Sequence, residues 1–269
     1  MKKVILITGI SSGFGKQTSE LLAEKGHIVY GTVRKETGTG KLINIIKMDL
    51  TEPASIKRAV ETVLQKEGKI DILINNAGMH TGGPIETSPI ENIRLQIDTN
   101  FIGMVQLTKA VLPAMRKQSG GLIINFSSIG GLIGLPFQAF YSASKFAIEG
   151  FSEALRMELK QFNIKVVLIN PGDFQTSNSA NRRKFLTPTG PTDPYEKQFN
   201  TTLAKIEKDE AKGWAPEILA RKIVRIVELK NPKNRYIIAS FEQKLSVALK
   251  YILPDKYFRL IIEAYYGIK

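Results

Sequence analysis

The chain has 269 residues, 43% of them hydrophobic and 23% charged, the balance of a soluble fold with a sizeable core rather than of a disordered or fibrous chain. It contains no cysteine, so disulfides and thiolate metal sites are excluded, and a reducing cytoplasm is the expected compartment. The net charge is +13 (38 basic, 25 acidic), but the basic residues are scattered among acids without an aromatic-interleaved stripe, so no nucleic-acid partner is expected.

The N-terminal run KVILITG is too short and too quickly broken by Gly and Ser for a signal peptide, and reads as a strand buried on both faces of a parallel sheet. It leads into Thr8-Gly9-Ile10-Ser11-Ser12-Gly13-Phe14-Gly15 and then a helical segment stopped at Gly26. Strand, glycine-rich turn and helix together suit a pyrophosphate, because glycines admit close backbone approach and the helix start offers unbonded N–H groups. The spacing G-x-x-x-G-x-G differs from the usual dinucleotide fingerprint, and a tight turn without ligand is the plain alternative. HIVYGTVRK is the second strand. At its end stand Thr32, Arg34 and Lys35, with no acid before Glu36. An acid there would grip a ribose 2′-hydroxyl, whereas Arg34 suits a 2′-phosphate, so NADP(H) is expected over NAD(H).

LINIIKM is the third strand, closing on Asp49-Leu50, and a helix over about 53–66 follows with Thr51 as its expected cap. IDILINNAGM is the fourth strand, running into Asn76-Ala77-Gly78, whose small side chains leave room for a nucleotide or form a bare turn. Residues from about 89 to 117 predict one long helix with Asn100 in its middle, where a poor helix former carries no functional weight by itself.

The stretch 123–145, IINFSSIGGLIGLPFQAFYSASK, organises the chain. From Gln118 to Ser144 it has no charge, yet its glycines, serines, Asn125 and Pro136 argue against a membrane span and for strand, loop and helix. Tyr141 and Lys145 are four apart on one helix face, so the ammonium can stand beside the phenol and lower its pKa from about 10. Tyr141 is thus a candidate acid/base. IINF is a buried strand ending in Ser127 and Ser128, only one of which can face the tyrosine.

NIKVVLIN is the sixth strand, followed by Pro171-Gly172-Asp173-Phe174-Gln175-Thr176. Residues of about 174–212 are irregular and read as a lid, with a capping box at Asp193-Pro194-Tyr195-Glu196 opening a helix. APEILARKIVRIVEL is an amphipathic helix and RYIIAS the last strand. The tail, about 241–269, is apolar, aromatic and basic, and suits covering the core or dimerising in preference to touching a membrane surface. No His and carboxylate cluster suggests a metal site. The whole of 1–269 reads as one dinucleotide-binding and catalytic domain of the α/β class: a Rossmann-type, doubly wound parallel sheet of about seven strands.

With these residues placed, residues 2–240 resemble the short-chain dehydrogenase/reductase family. TGISSGFG matches its T-G-x-x-x-G-x-G turn, NNAG its N-N-A-G, Tyr141-x-x-x-Lys145 its Y-x-x-x-K, and Pro171-Gly172 with Thr176 its P-G-x-x-x-T. The family's serine stands thirteen residues before the tyrosine, which selects Ser128 over Ser127, and its active-site asparagine falls on Asn100. Phe14 departs from the commoner aliphatic residue, without consequence expected for cofactor binding. The resemblance implies that Tyr141 exchanges a proton with the substrate oxygen, Ser128 holds that oxygen, Lys145 binds the nicotinamide ribose and tunes the tyrosine, and Asn100 joins Lys145 to a proton relay through its backbone carbonyl and a water. The cofactor set implied is Thr8, Gly9, Ser11, Ser12, Gly13, Phe14, Gly15, Thr32, Arg34, Asp49, Leu50, Asn76, Ala77, Gly78, Tyr141, Lys145, Pro171, Gly172 and Thr176.

Lid and tail look more like the hydroxysteroid and retinol dehydrogenase branch, which implies an apolar carbonyl or alcohol beside Ser128, with Phe137, Phe140, Phe174 and lid aromatics such as Phe185 and Tyr195 as wall. His80 is expected at a pocket edge or the surface. A homodimer or homotetramer is implied by analogy. The competing reading is a regulatory protein that binds NADP(H) without turnover.

Overall fold

The structure, a computed structural model, describes residues 2–35, 42–176 and 193–268. Seven strands form one wholly parallel sheet in the order β3-β2-β1-β4-β5-β6-β7: β1 Val4–Thr8, β2 Ile28–Val33, β3 Asn44–Lys47, β4 Ile72–Asn75, β5 Gly121–Phe126, β6 Ile164–Pro171 and β7 Arg235–Ile238. The intervening helices are α1 Gly13–Glu24, α2 Pro53–Glu67, α3 Ile90–Ile97, α4 Gly103–Lys117, α5 Ala139–Glu158, α6 Glu196–Ala211 and α7 Pro216–Glu228, with α8 Phe241–Ile252 and α9 Asp255–Tyr266 forming the tail. This is the Rossmann-type architecture expected, and the reversal of strand order between β1 and β4 opens a crevice at their carboxyl ends.

Alternation along the strands explains why helices cover both faces. Ile5 and Ile7 of β1 face Leu22 of α1 and Leu219, Ile223 and Val227 of α7. Val4 and Leu6 face the other layer, with Val60 and Val63 of α2, Val111 of α4 and Leu155 of α5. Every one of these side chains is buried. The tail forms a third cluster, in which Val247 of α8 and Phe258 of α9 pack on Leu132 and Ile133 in the loop after β5. The tail therefore does cover part of the core.

The expected long helix over 89–117 runs from Ile90 to Lys117, and a π-helical turn, Asp98–Ile102, centred on Asn100, joins α3 to α4 within it. Two local readings are corrected. Thr51 does not cap α2, because its hydroxyl and N–H both donate to Asp49 Oδ1 and the cap position falls to Glu52. Asp193 does not open α6, since its carboxylate accepts from Tyr195 N in a preceding turn and the helix starts at Glu196. Glu36 and the 177–192 part of the expected lid, including Phe185, lie outside the described residues.

Candidate active site

A cleft of about 440 Å³ runs along the carboxyl ends of β1, β2, β4, β5 and β6. At one end is the glycine turn. Gly9 (φ +72) and Gly13 (φ +56) take left-handed backbone that side chains resist, and a Cβ on Gly9 would stand 2.9 Å from Ala77 Cα. Gly15 is packed against the Gly9 carbonyl so closely that any Cβ would overlap it. The turn is stapled to β4 by Thr8, whose hydroxyl accepts from Asn76 N (3.0 Å) and Ala77 N (2.9 Å), while Asn76 Nδ2 donates to the Thr8 (2.8 Å) and Gly9 (3.1 Å) carbonyls.

Thr8 and Gly15 shape the cleft from behind its lining. Gly9, Ser11, Ser12, Gly13, Phe14, Thr32, Arg34, Asp49, Leu50, Asn76, Ala77 and Gly78 all line it, as do Tyr141, Lys145, Pro171, Gly172 and Thr176. Phe14 also packs on Phe126 (6.1 Å) and edge-on to Phe174 (5.0 Å). The bare glycine cradle, the start of α1 beside it and the exposed Arg34 guanidinium at the end of β2 fit a phosphorylated dinucleotide.

At the other end of the cleft, the sequence brings Ser128, Tyr141 and Lys145 together. A Cβ on Gly130 would sit 3.2 Å from Tyr141 Cε1 and 3.5 Å from Ser128 Oγ, so this glycine lets ring and hydroxyl close on one point. Ser128 Oγ accepts from Gly130 N (3.0 Å), which leaves its own proton to donate elsewhere. Ser127 is directed away: it is buried and its hydroxyl donates to the Lys145 carbonyl (3.4 Å). The Lys145 ammonium donates to the Phe126 carbonyl (2.9 Å) and lies 5.7 Å from the Tyr141 ring centre. Burial pulls Lys145 from the ordinary 10.5 down to about 8, opposed by the negative charge of Glu149 one turn along α5.

Asn100 does not line the cleft. Its amide clamps Met79, accepting from Met79 N (2.8 Å) and donating to Met79 O (2.9 Å), and it also donates to Ser144 Oγ (3.1 Å). Ser144 in turn donates to the Tyr141 carbonyl (2.7 Å), so the π turn, the end of β4 and the start of α5 are one hydrogen-bonded unit. A π turn leaves the regular ladder and frees backbone groups, which is why such turns collect at sites.

Substrate-wall expectations fare unevenly. Phe174 lines the cleft and is buried between Phe14 and Trp214. Phe137 and Phe140 stand outside this lining, and Phe137 packs on Phe199 of α6, 5.4 Å between ring centres. Tyr195 is also absent from the wall, and its hydroxyl donates to Glu86. His80 lines the cleft, as the pocket-edge reading has it, and is buried there, lying flat on Tyr141 with ring centres 4.0 Å apart at 14°. Sequence reasoning missed the outer wall, where Leu135 of the loop after β5, Ile206 of α6 and Ile261, Ile262, Tyr265 and Tyr266 of α9 come together. Only the amphipathic spacing of the tail hinted at them. Among the described residues no cluster of His and carboxylates could hold a metal.

A family model described as short chain dehydrogenase matches residues 3–187. The chain is 46% identical over 267 residues to a Bacteroides thetaiotaomicron protein named 3-ketodihydrosphingosine reductase, with 99% of each covered. It is 32% identical over 264 residues to a protein of Ornithobacterium rhinotracheale named NADPH-dependent 3-dehydrocapnine reductase, with 93% of each covered. A solved short chain dehydrogenase from Burkholderia cenocepacia in complex with NADP superposes with a TM-score of 0.74 at 25% identity, covering 98% of this chain and 96% of that one.

Proposed function

This chain belongs to the short-chain dehydrogenase/reductase family, and from that premise we propose that it is an NADPH-dependent reductase of an apolar ketone, working by Ser128, Tyr141 and Lys145. The observation that carries the reading is the closure of Ser128 Oγ and the Tyr141 ring on Gly130, in the same cleft as the glycine cradle. Bound NADPH supplies the hydride. The Ser128 hydroxyl, its lone pair occupied by Gly130 N, donates to the substrate oxygen and steadies the charge that develops there, an effect worth about 3 kcal/mol. Tyr141 gives that oxygen its proton, and the neighbouring ammonium of Lys145 favours the phenolate left behind. Asn100 acts as a positioning residue through Met79 and Ser144. The glycine turn, Asn76 and Pro171-Gly172 hold the dinucleotide, with Arg34 on the 2′-phosphate. The apolar outer wall of Leu135, Ile206, Ile261 and Ile262 takes the rest of the substrate.

The relative at 46% identity makes 3-ketodihydrosphingosine the first ketone to try. Following NADPH oxidation with that ketone, the wild type turns over, whereas Tyr141→Phe loses roughly a thousand-fold or more in kcat, ~4 kcal/mol, while still binding NADPH. A variant that kept its turnover would remove the mechanism.

A further inference from the structure

We infer that the tail, α8 and α9, is a docking surface for an anionic lipid bilayer, set so that the cleft mouth opens at the membrane. Among the described residues, eight of the eighteen large hydrophobic side chains left exposed fall between residues 241 and 265. They are not scattered. On α8, Phe241, Leu245 and Ile252 repeat at helical spacing and are 75%, 45% and 74% exposed. On α9, Tyr257, Leu260, Ile261 and Tyr265 stand at i, i+3, i+4 and i+8, a full outward stripe. The opposite faces are satisfied, since Val247 and Phe258 are buried on the loop after β5. Each helix is thus apolar on two sides, which folding of the monomer does not require and which marks an interaction surface.

Two observations choose the occupant. Ile261 and Tyr265 are at once exposed and part of the cleft wall, so the stripe runs unbroken from the outer surface into the site. A second protein copy seated on it would close that mouth, whereas a fluid bilayer leaves it open and is itself a reservoir of apolar substrate. The charges and rings beside the stripe match as well. Lys244, Lys256 and Arg259 are exposed on these helices beside the exposed acids Glu242 and Asp255, Arg259 pairing with Glu263 (3.6 Å), and residues 181–269 as a whole hold 18 basic against 10 acidic side chains. Tyrosines with lysines and arginine around an apolar stripe are the composition of helices lying in a headgroup layer. No described helix is long and apolar enough to cross a membrane, so the contact is a surface one.

The inference deepens the reading of the cleft as a site for an apolar ketone, yet its test needs no turnover. The full chain is spun with sucrose-loaded vesicles of phosphatidylcholine alone or with one-third phosphatidylglycerol, in low and high salt. Binding is expected to the anionic vesicles, to weaken in high salt, and to fall about five-fold for each basic side chain reversed, as in Lys256→Glu. Leu260→Ser with Ile252→Ser should lose at least ten-fold in binding while keeping the wild-type melting temperature and NADPH affinity. Absence of binding to either vesicle would overturn the proposal. So would a solution dimer that the same pair of substitutions dissolves, since the stripe would then belong to a second copy.

Discussion

Lys145 carries an uncommon burden for a single residue. It is buried at the cleft wall, its ammonium held by the Phe126 carbonyl, and the negative charge of Glu149 opposes its desolvation. Glu149 is itself fixed by Arg235 (2.6 Å) and by Asn170 (2.6 Å), and Asn170 also donates to the Ser128 carbonyl (3.0 Å). Glu153 shares Arg235 (3.3 Å). Tyr141, Lys145 and Glu149 thus form one stripe at i, i+4 and i+8, tied to the loop that bears Ser128. Removing a nearby negative charge eases proton loss from the Tyr141–Lys145 pair, whichever member gives it up. Glu149→Gln is therefore expected to move the alkaline fall of kcat to lower pH, measured as a pH profile beside a melting curve. A lower melting temperature with an unmoved profile would reduce Glu149 to packing alone. For Arg34, exposed at the end of β2, Arg34→Ala should weaken NADPH by roughly ten-fold or more and leave NADH unchanged in a fluorescence titration. Equal loss for both would refute a 2′-phosphate contact. The pairing of Tyr141 with Lys145 was legible because a helix puts i and i+4 on one face. The ring of His80 against Tyr141 was not, because it joins residues sixty-one apart.

Among the elements, the end of β4 is decisive. Asn76 and Ala77 turn their N–H groups onto the Thr8 side-chain hydroxyl rather than onto a backbone carbonyl of a neighbouring strand, which stops β4 at Asn75, short of the run suggested by ILINNAG. Behind it, Asn75 donates to Asn125 (2.8 Å) and Thr108 (3.1 Å), and Asn125 to Ser152 (2.9 Å), a buried chain through β4, β5, α4 and α5. The first asparagine of the motif therefore supports the core, and the second holds the glycine turn. Thr8→Val keeps the shape but leaves the Ala77 N–H unbonded and the Asn76 N–H with the Ile74 carbonyl alone (3.1 Å), and should cost about 1–2 kcal/mol in urea denaturation while raising the KM for NADPH. Unchanged stability would mean that water replaces the staple. The π turn was illegible: nothing in the apolar spacing of 89–117 reports one extra residue per turn, and Asn100 is kept there by Met79 in the loop after β4 and Ser144 on α5.

At the scale of the whole molecule, the site is held at a cost in stability. Lys145 falls to about 8 when folded and titrates near 10.5 when unfolded, so the unfolded chain binds the extra proton between those values. Stability from this group then rises as pH climbs from about 8 to about 10.5, and its full penalty, on the order of 3 kcal/mol, stands below pH 8. Lys145→Met, similar in volume and without charge, is expected to melt higher than wild type at pH 7 while losing turnover. The difference should shrink above pH 9. A variant that melts lower at pH 7 would show that the ammonium's bond to Phe126 outweighs its desolvation.

What the amino-acid order determined by itself was whatever depends on near neighbours: strands buried on both faces, the glycine turn before a helix, and a tyrosine and lysine on one helical face. It fixed the sheet and the inner half of the cleft, because continuous apolar runs and special backbone angles are local properties. Folding alone decided the rest. Phe137 and Phe140 left the cleft and the tail's Ile261, Ile262, Tyr265 and Tyr266 entered it, because a wall built by elements more than a hundred residues apart leaves no trace in spacing. Thr8 as a staple was hidden in the same way: its hydroxyl meets Asn76 and Ala77, 68 and 69 residues on, only when β1 and β4 lie side by side.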